Sequence, residues 1–308
     1  MARRVLVILN PASRGRTGAK RFARVEEALR AALGAIEIER TRGPRDAERL
    51  AREAVRSGVE RLVVAGGDGT LSEVVSGLLS AELARYVEIG LLPLGSGGDF
   101  AHCLGIPRDL ARAIVCLAEG TARTIDAGRA TFATPDGGKQ VSWFANVASF
   151  GISGLVSEFV NRGHKPFGGT VAFAMAALRA IARYDPQPVT IRVDGEPVLE
   201  GPVTLVAAAN GRRFGGGMQI APDARLDDGQ LDLVAISRLS RRRLLRELPG
   251  LYAGTHLESS AVTHCRGRVI EIEGASHVPL ELDGELLGCL PARFEVLPRA
   301  LTLTGPRP

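Results

Sequence analysis

Apolar and polar positions follow two different rhythms along this chain. In the first third, short apolar runs alternate with stretches of helical period. Val5–Leu9 is a continuous apolar run of strand length. From Gly18 to Leu33 the apolar residues Phe22, Val25, Ala28, Leu29 and Ala32 recur with the spacing of one helix face. Ile36–Arg40 predicts a second strand ending at Thr41, and Arg45 to Ser57 an amphipathic helix through Leu50, Ala51, Ala54 and Val55. Arg61–Ala65 is a β-branched strand that runs into glycines; Leu71 to Leu79 is helical again, and Ile89–Pro93 is a further strand. Strands alternating with helices predict a parallel sheet covered on both faces. Such sheets bind ligands beyond the carboxyl ends of their strands.

After about residue 125 the strand rhythm dominates. Trp143–Ser149, Val189–Val193, Val203–Ala209, Leu231–Ile236, Val269–Glu273, Pro279–Leu282 and Phe294–Leu297 all read as strands. Turn pairs at Asp194-Gly195, Asn210-Gly211, Asp228-Gly229 and Asp283-Gly284 separate several of them. One long helix from about Ile152 to Tyr184 and a shorter one from about Ser240 to Tyr252 interrupt the series. The predicted fold class is therefore α/β: a doubly wound parallel-sheet nucleotide domain over residues 1–125 and a mainly antiparallel β-sandwich over 126–297. Residues 298–308 are free to return to the first domain.

At 308 residues the chain suits two such cores. With 45% hydrophobic and 24% charged residues its composition is that of a globular protein and excludes extended disorder. A net charge of +5 and a pI near 9.4 favour acidic partners: nucleotides, anionic lipid headgroups or nucleic acid. Aromatic residues are only 5% and no basic–aromatic motif is present, which argues against nucleic acid. Val5–Leu9 is too short for the apolar core of a secretion signal, and no small-residue cleavage site follows it. Val171 to Ala182, interrupted by Arg179, falls short of the roughly 20 residues a span requires. Any membrane contact is expected to be peripheral. Cys103, Cys116, Cys265 and Cys289 show no CxxC or zinc spacing, which together with the missing signal predicts a cytoplasmic protein with free thiols.

The sharpest chemical feature is Arg61 to Leu78, RLVVAGGDGTLSEVVSGL, where a strand meets Gly66-Gly67-Asp68-Gly69-Thr70 and a helix starts at once. Glycines admit an anion close to the backbone, and the N–H groups of a helix start attract phosphate. Asp68 would repel bare phosphate, so it implies a cation or a transferable proton nearby. The plain alternative is a tight strand-to-helix turn. No GxxxxGK[ST] loop occurs and no GxGxxG follows the first strand.

This loop and its setting resemble the superfamily of diacylglycerol-type lipid kinases, sphingosine kinases and NAD kinases. Asn10-Pro11 followed by Ser13, Gly15 and Gly18, Thr41 ahead of Asp46-Ala47, and LLPLGSGGDFAHCLGIP from Leu91 to Pro107 resemble the lipid-kinase branch, as do the later APDARLDDGQLDLV and LDGE segments. The resemblance implies ATP in a cleft between the domains. It is held by Asn10, Thr41, Gly66, Gly67, Asp68, Gly69, Thr70, Leu71, Ser72, Gly95, Ser96 and Asp99, with Mg²⁺ bridging its phosphates to Asp68. Ser96 stands where the family has Thr and keeps the hydroxyl; Gly98 stands where it has Asn and lacks the amide.

Carboxylates crowd Ala221 to Asp232, and oxygen-rich turns suit hard cations. The resemblance implies a structural Mg²⁺ on the Asp228 side chain and the main-chain carbonyls of Arg225 and Gln230; a hairpin with solvated acids is the plain alternative. Asp283 in Leu282-Asp283-Gly284-Glu285 is implied as the proton acceptor, with Glu285 assisting and Asp68 as the rival base. The implied activity is transfer of the ATP γ-phosphoryl group to a lipid hydroxyl such as that of diacylglycerol, with the tail along the Ile152–Tyr184 helix. An NAD kinase and a non-catalytic ATP sensor of the same fold are the alternatives. An Asn-Glu pair expected of NAD kinases after the glycine loop is absent. Arg238, Arg241, Arg242, Arg243 and Arg246 among Leu239, Leu244, Leu245 and Leu248 make a basic amphipathic helix, suited either to an anionic membrane or to solvent. Monomer and homodimer are equally open.

Overall fold

Val5–Leu9 forms β1 and is buried along its full length, as the continuous apolar run requires of a strand covered on both faces. The computed structural model describes residues 3–162, 169–275 and 277–307. The chain divides into two units, Met1–Asp126 with Arg299–Pro308, and Ala127–Pro298.

In the first unit β1 is followed by the short turn α1 (Ser13–Arg16), α2 (Gly18–Ala23), α3 (Glu26–Leu33), β2 (Ile36–Arg40) and α4 (Asp46–Arg56). Then come β3 (Arg61–Gly66), α5 (Asp68–Ser80), β4 (Glu88–Pro93), α6 (Asp99–Cys103) and α7 (Leu110–Glu119). The strands pair in parallel in the order β2-β1-β3-β4, and residues Thr302 and Leu303 at the end of the last strand add a fifth parallel partner beside β4. The order turns back at β1, so the loops after β1 and β3 lie side by side, the arrangement that opens a ligand crevice.

Two strands carry the chain between the units: β5 (Thr121–Ala133) and β14 (Glu285–Gly305). The second unit adds β6 (Lys139–Phe144), β7 (Val147–Gly151), α8 (Ile152–Arg162), α9 (Gly169–Arg183), β8 (Gln187–Val193), β9 (Glu196–Ala209) and β10 (Leu231–Ser237). It closes with α10 (Arg241–Ala253), β11 (Val262–Gly267), β12 (Val269–Gly274) and β13 (Pro279–Leu282). Its pairings are antiparallel: β11-β10-β9-β7-β13-β14 along one path, and β9-β8-β12-β14 along another. The two sheets share β9 and β14 as corner strands and enclose a core of Phe132, Phe144, Phe150, Leu233, Ile272 and Phe294. Phe144 and Phe294 meet edge to face, centroids 6.1 Å apart.

Several predicted elements differ. The helix expected over Gly18 to Leu33 is two, because Val25 (φ −124°, ψ 0°) leaves helical geometry between α2 and α3. The strand expected over Trp143–Ser149 breaks at Ala145-Asn146, between β6 and β7. The helix expected from Leu71 starts at Asp68, bringing Asp68, Gly69 and Thr70 into its first turn. Of the long helix expected over Ile152 to Tyr184, α8 and α9 are seen, while residues 163–168 lie outside the described ones. Among the described residues no helix is long and apolar enough to cross a membrane, and no disulfide forms.

Candidate active site

Three loops meet at the carboxyl ends of β1, β3 and β4. The loop after β3 is only Gly67, at the N-cap of α5. The first N–H groups of a 13-residue helix therefore open at the strand ends, where an anion gains from them. The loop after β4 is bound to it: the N–H groups of Leu94 and Gly95 both donate to the Gly66 carbonyl, at 2.9 and 3.1 Å. The loop after β1 joins through the Asn10 N–H, which donates to the Ala65 carbonyl at 3.0 Å. The Asn10 side chain works in both directions. Its amide donates to Thr70 Oγ1 at 2.9 Å, and its carbonyl accepts the Ala12 N–H at 2.9 Å. Thr41 is buried at the end of β2, its N–H on the Leu9 carbonyl.

Asp68 is held from one side. Its Oδ2 accepts N–H groups from Gly98 at 2.7 Å and Asp99 at 3.2 Å, while Oδ1 makes no hydrogen bond among the described residues. The glycines explain the close approach. A Cβ on Gly95 would lie 2.5 Å from the Gly67 Cα, and one on Gly97 2.6 Å from Asp68 Oδ2. Gly98 has φ +101° at the N-cap of α6, a conformation that glycine adopts freely. A pocket of about 20 Å³, room for one water, is lined by Gly66, Gly67, Asp68, Leu71, Gly95 and Gly98 among others. Thr70, Leu71, Ser72 and Asp99 are buried around it, and Ser96 is exposed. Open helix N–H groups, glycine walls and a carboxylate with one uncommitted oxygen fit a polyphosphate with a divalent cation.

In the second unit the Asp283-Gly284 turn joins β13 to β14, both residues at positive φ (+50° and +88°). The Asp283 carboxylate fills the break between β6 and β7. Oδ2 accepts the Ala145 N–H at 2.9 Å, and Oδ1 accepts those of Asn146 at 3.0 Å and Val147 at 2.9 Å. The Asp283 N–H in turn donates to the Val147 carbonyl at 2.9 Å. Three donors orient the carboxylate and share its charge. Asn146 Oδ1 is buried and has no partner among the described residues, although its amide donates to the Arg213 carbonyl. Glu285 opens β14, paired with Leu282 across the turn.

Glu281, two residues before Asp283, is buried. Burial pushes its carboxyl well above the usual range, and hydrogen bonds from Ser149, Ser157 and Ser153 oppose that shift. At the expected cation turn, Asp228 Oδ1 accepts the Gln230 N–H at 3.1 Å, and Arg225 Nε lies 3.6 Å from Asp227 Oδ1. No three acidic, His or Cys side chains converge among the described residues, so a cation here would rest on Asp228, main-chain carbonyls and water.

Residues 4–130 match the diacylglycerol kinase catalytic domain family, and residues 146–305 the YegS C-terminal, NAD kinase β-sandwich-like domain family. The chain is 32% identical to a diacylglycerol kinase of Mycobacterium tuberculosis over 291 residues, covering 91% of both proteins. The chain belongs to the diacylglycerol-kinase family of lipid kinases. It is also 32% identical to a YegS-like lipid kinase of Chromohalobacter salexigens, covering 85% of this chain and 81% of that one. A crystal structure of a Bacillus anthracis protein described as a diacylglycerol kinase superposes with a TM-score of 0.78 at 25% identity, over 98% of this chain and 96% of that one. A yeast NADH kinase structure shares the fold alone, at a TM-score of 0.50 and 14% identity.

In this kinase family member the sequence motifs converge in two places. Asn10, Thr41, Gly66–Ser72 and Gly95–Asp99 gather at the strand ends of the first unit, while Asp283 and Glu285 share one hairpin of the second. Sequence reasoning missed Arg21, which donates to the Leu94 carbonyl, and Arg108, which donates to the Ser96 and Gly97 carbonyls. It also gave no role to Asn146 or Glu281. Only these last two carry a sequence signal, each being a polar residue inside an apolar strand.

Proposed function

We propose that this protein is an ATP-dependent lipid kinase that transfers the γ-phosphoryl group to a lipid hydroxyl such as that of diacylglycerol, at a membrane surface. The observation that carries the proposal is the glycine-walled crevice around Asp68, whose Oδ2 is fixed by the Gly98 and Asp99 N–H groups. The names of the relatives support a lipid as acceptor.

ATP with a divalent cation such as Mg²⁺ supplies, when bound, an activated phosphoryl group whose charge is partly neutralised. The first-turn N–H groups of α5, with Gly66, Gly67, Gly69, Thr70 and Gly95, bind the phosphates. Asn10, Thr41, Leu71, Ser72, Ser96 and Asp99 shape the nucleotide side, and Asp68 Oδ1 holds the cation. Asp283 orients the acceptor hydroxyl and takes its proton, with Glu285 assisting. Three backbone donors fix the Asp283 carboxylate in place, which suits a reaction in which positioning carries most of the catalysis. Asp228 with the Arg225 and Gln230 carbonyls holds a structural cation. The apolar cluster of Val156, Ala176 and Ala180 between α8 and α9 supports a place for the acyl chain in the second unit.

The test incubates γ-labelled ATP and Mg²⁺ with a bacterial lipid extract and separates the products. A labelled lipid is expected. Asp68→Asn keeps an oxygen for the Gly98 N–H but removes the charge, and should abolish labelling with the fold intact. Asp283→Asn should lower turnover by about 10²–10⁴-fold while ATP still binds. It also sets an amide against three N–H donors, at about 1–3 kcal/mol, which the thermal midpoint reads separately. Label on added NAD, or ATP binding with no labelled product, would replace this reading with an NAD kinase or an ATP sensor.

A further inference from the structure

We propose that Glu281 is a positioning residue for the acceptor side of this kinase: through Ser149, Ser153 and Ser157 it holds α8 against the β7–β13 pair that seats Asp283. The inference rests on the kinase reading above.

Glu281 is only 5% exposed, and its neighbours Leu280 and Leu282 point into the sandwich core. Alternation along β13 sets Glu281 and Asp283 on the other side. Across the strand pair Glu281 stands opposite Ser149. Glu281 Oε1 accepts the Ser149 hydroxyl at 2.6 Å, and Oε2 accepts that of Ser157. Ser149 Oγ and Ser153 Oγ are hydrogen-bonded at 3.0 Å, with Ser153 donating because the one Ser149 proton goes to Glu281. Ser153 and Ser157 are one helical turn apart and share a face of α8. Gly154 lets that face down onto β13, since a Cβ there would lie 2.8 Å from the Pro279 carbonyl oxygen. One carboxyl group thus joins β13, β7 and α8, and β7 begins at Val147, whose N–H donates to Asp283.

Among the described residues no cation is a cause of the Glu281 shift. The titratable residues around it whose side chains are described include Asp283 and Glu285 on the hairpin, Glu158 on α8, and Tyr184, whose hydroxyl lies near Gly151; α8 also ends in Arg162. None of them is among the causes of its shift, which are burial first and then the three serines. Burial thus favours the uncharged form, whose one proton makes one of the two serine contacts a donation from the carboxyl. Glutamine would fill the same space and still accept a serine hydroxyl, so structure alone does not call for an acid here. Raising the pH through the elevated pKa of Glu281 puts an unpaired charge under α8 and loosens the joint.

The experiment compares kcat and KM of wild type, Glu281→Gln and Glu281→Leu from weakly acidic to alkaline pH. Wild type should lose kcat on an alkaline limb. Glu281→Gln should rescue turnover and lack that limb, because its side chain does not ionise. Glu281→Leu, which leaves the Ser149 and Ser157 hydroxyls without their partner, should lower kcat by roughly tenfold or more with KM for ATP unchanged. An unaltered limb in Glu281→Gln, or KM rather than kcat moving in Glu281→Leu, would overturn the proposal. Two readouts need no activity: the infrared absorption of a protonated carboxyl at neutral pH, lost in Glu281→Gln, and hydrogen exchange of α8 that quickens with pH only in wild type. Absence of either overturns the joint itself. Both present without any lipid phosphorylation would leave the joint standing and bring down the kinase reading alone.

Discussion

A methyl group on Gly95 would lie 2.5 Å from the Cα of Gly67, backbone against backbone, and neither chain can turn aside as a side chain would. Gly95→Ala should therefore part the two loops at a cost of about 1–3 kcal/mol. Paid at the crevice, that lowers ATP affinity by roughly 5–150-fold, readable by titration calorimetry. Gly98 behaves differently. Its nearest neighbours to an added Cβ are Arg108 atoms at 3.7 and 3.8 Å, so space is available and only φ +101° resists. Asparagine tolerates positive φ better than other side chains. Gly98→Asn should stay within about 1 kcal/mol of wild type, and a β-branched Gly98→Val should fall further in the same melting experiment. The motif was legible in the sequence as a run of glycines. The partner of each glycine was not, because Gly67 and Gly95 belong to loops that only the pairing of β3 with β4 brings together.

At the scale of elements the same competition decides Gly77. On an exposed helix Ala would be favoured over Gly by about 1 kcal/mol. Here a Cβ would stand 2.5 Å from the Glu48 carbonyl oxygen and 3.0 Å from its Cα, because α5 lies directly on α4. Overpacking of about 1–3 kcal/mol outweighs the propensity gain. Gly77→Ala should lower the unfolding midpoint, and a raised midpoint would show that α4 shifts aside freely. Periodicity announced α4, β1, β3 and β13 nearly to the residue, because each is a local pattern of apolar positions. It failed where long-range bonds override the pattern. Trp143–Ser149 reads as one strand, yet its backbone N–H groups at Ala145, Asn146 and Val147 turn to the Asp283 carboxylate instead of a ladder. β14 extends far beyond the four residues expected, since its partners β12, β13 and β4 come from distant parts of the chain.

At the scale of the whole molecule, exposed apolar side chains and arginines gather on α9 and α10. Of the seven exposed large hydrophobic side chains among the described residues, Met175, Leu178, Leu245 and Tyr252 lie on α9 and α10, which touch. Leu244 and Leu251 fix the buried face of α10, and Arg241, Leu245, Pro249 and Tyr252 follow one another along an exposed stripe. Arg242 and Arg246 flank that stripe, and Arg179 sits beside Leu178. We propose that this face, apolar side chains framed by arginines, rests on an anionic bilayer. Each basic residue near such a bilayer contributes about 1 kcal/mol. Replacing Arg241, Arg242 and Arg246 with Gln should then weaken co-sedimentation with phosphatidylglycerol vesicles by roughly 100-fold. Leu245→Asp should weaken it through lost insertion, and salt should mimic the arginine variant. Unchanged partitioning would return the helix to the solvated alternative, and a shifted monomer–dimer equilibrium would make this face a contact between copies. Turnover of a short-chain lipid dispersed as monomers should stay at wild-type level in the arginine variant, since no proposed transfer residue has been altered. A parallel loss there would place the arginines in the reaction and not at the membrane.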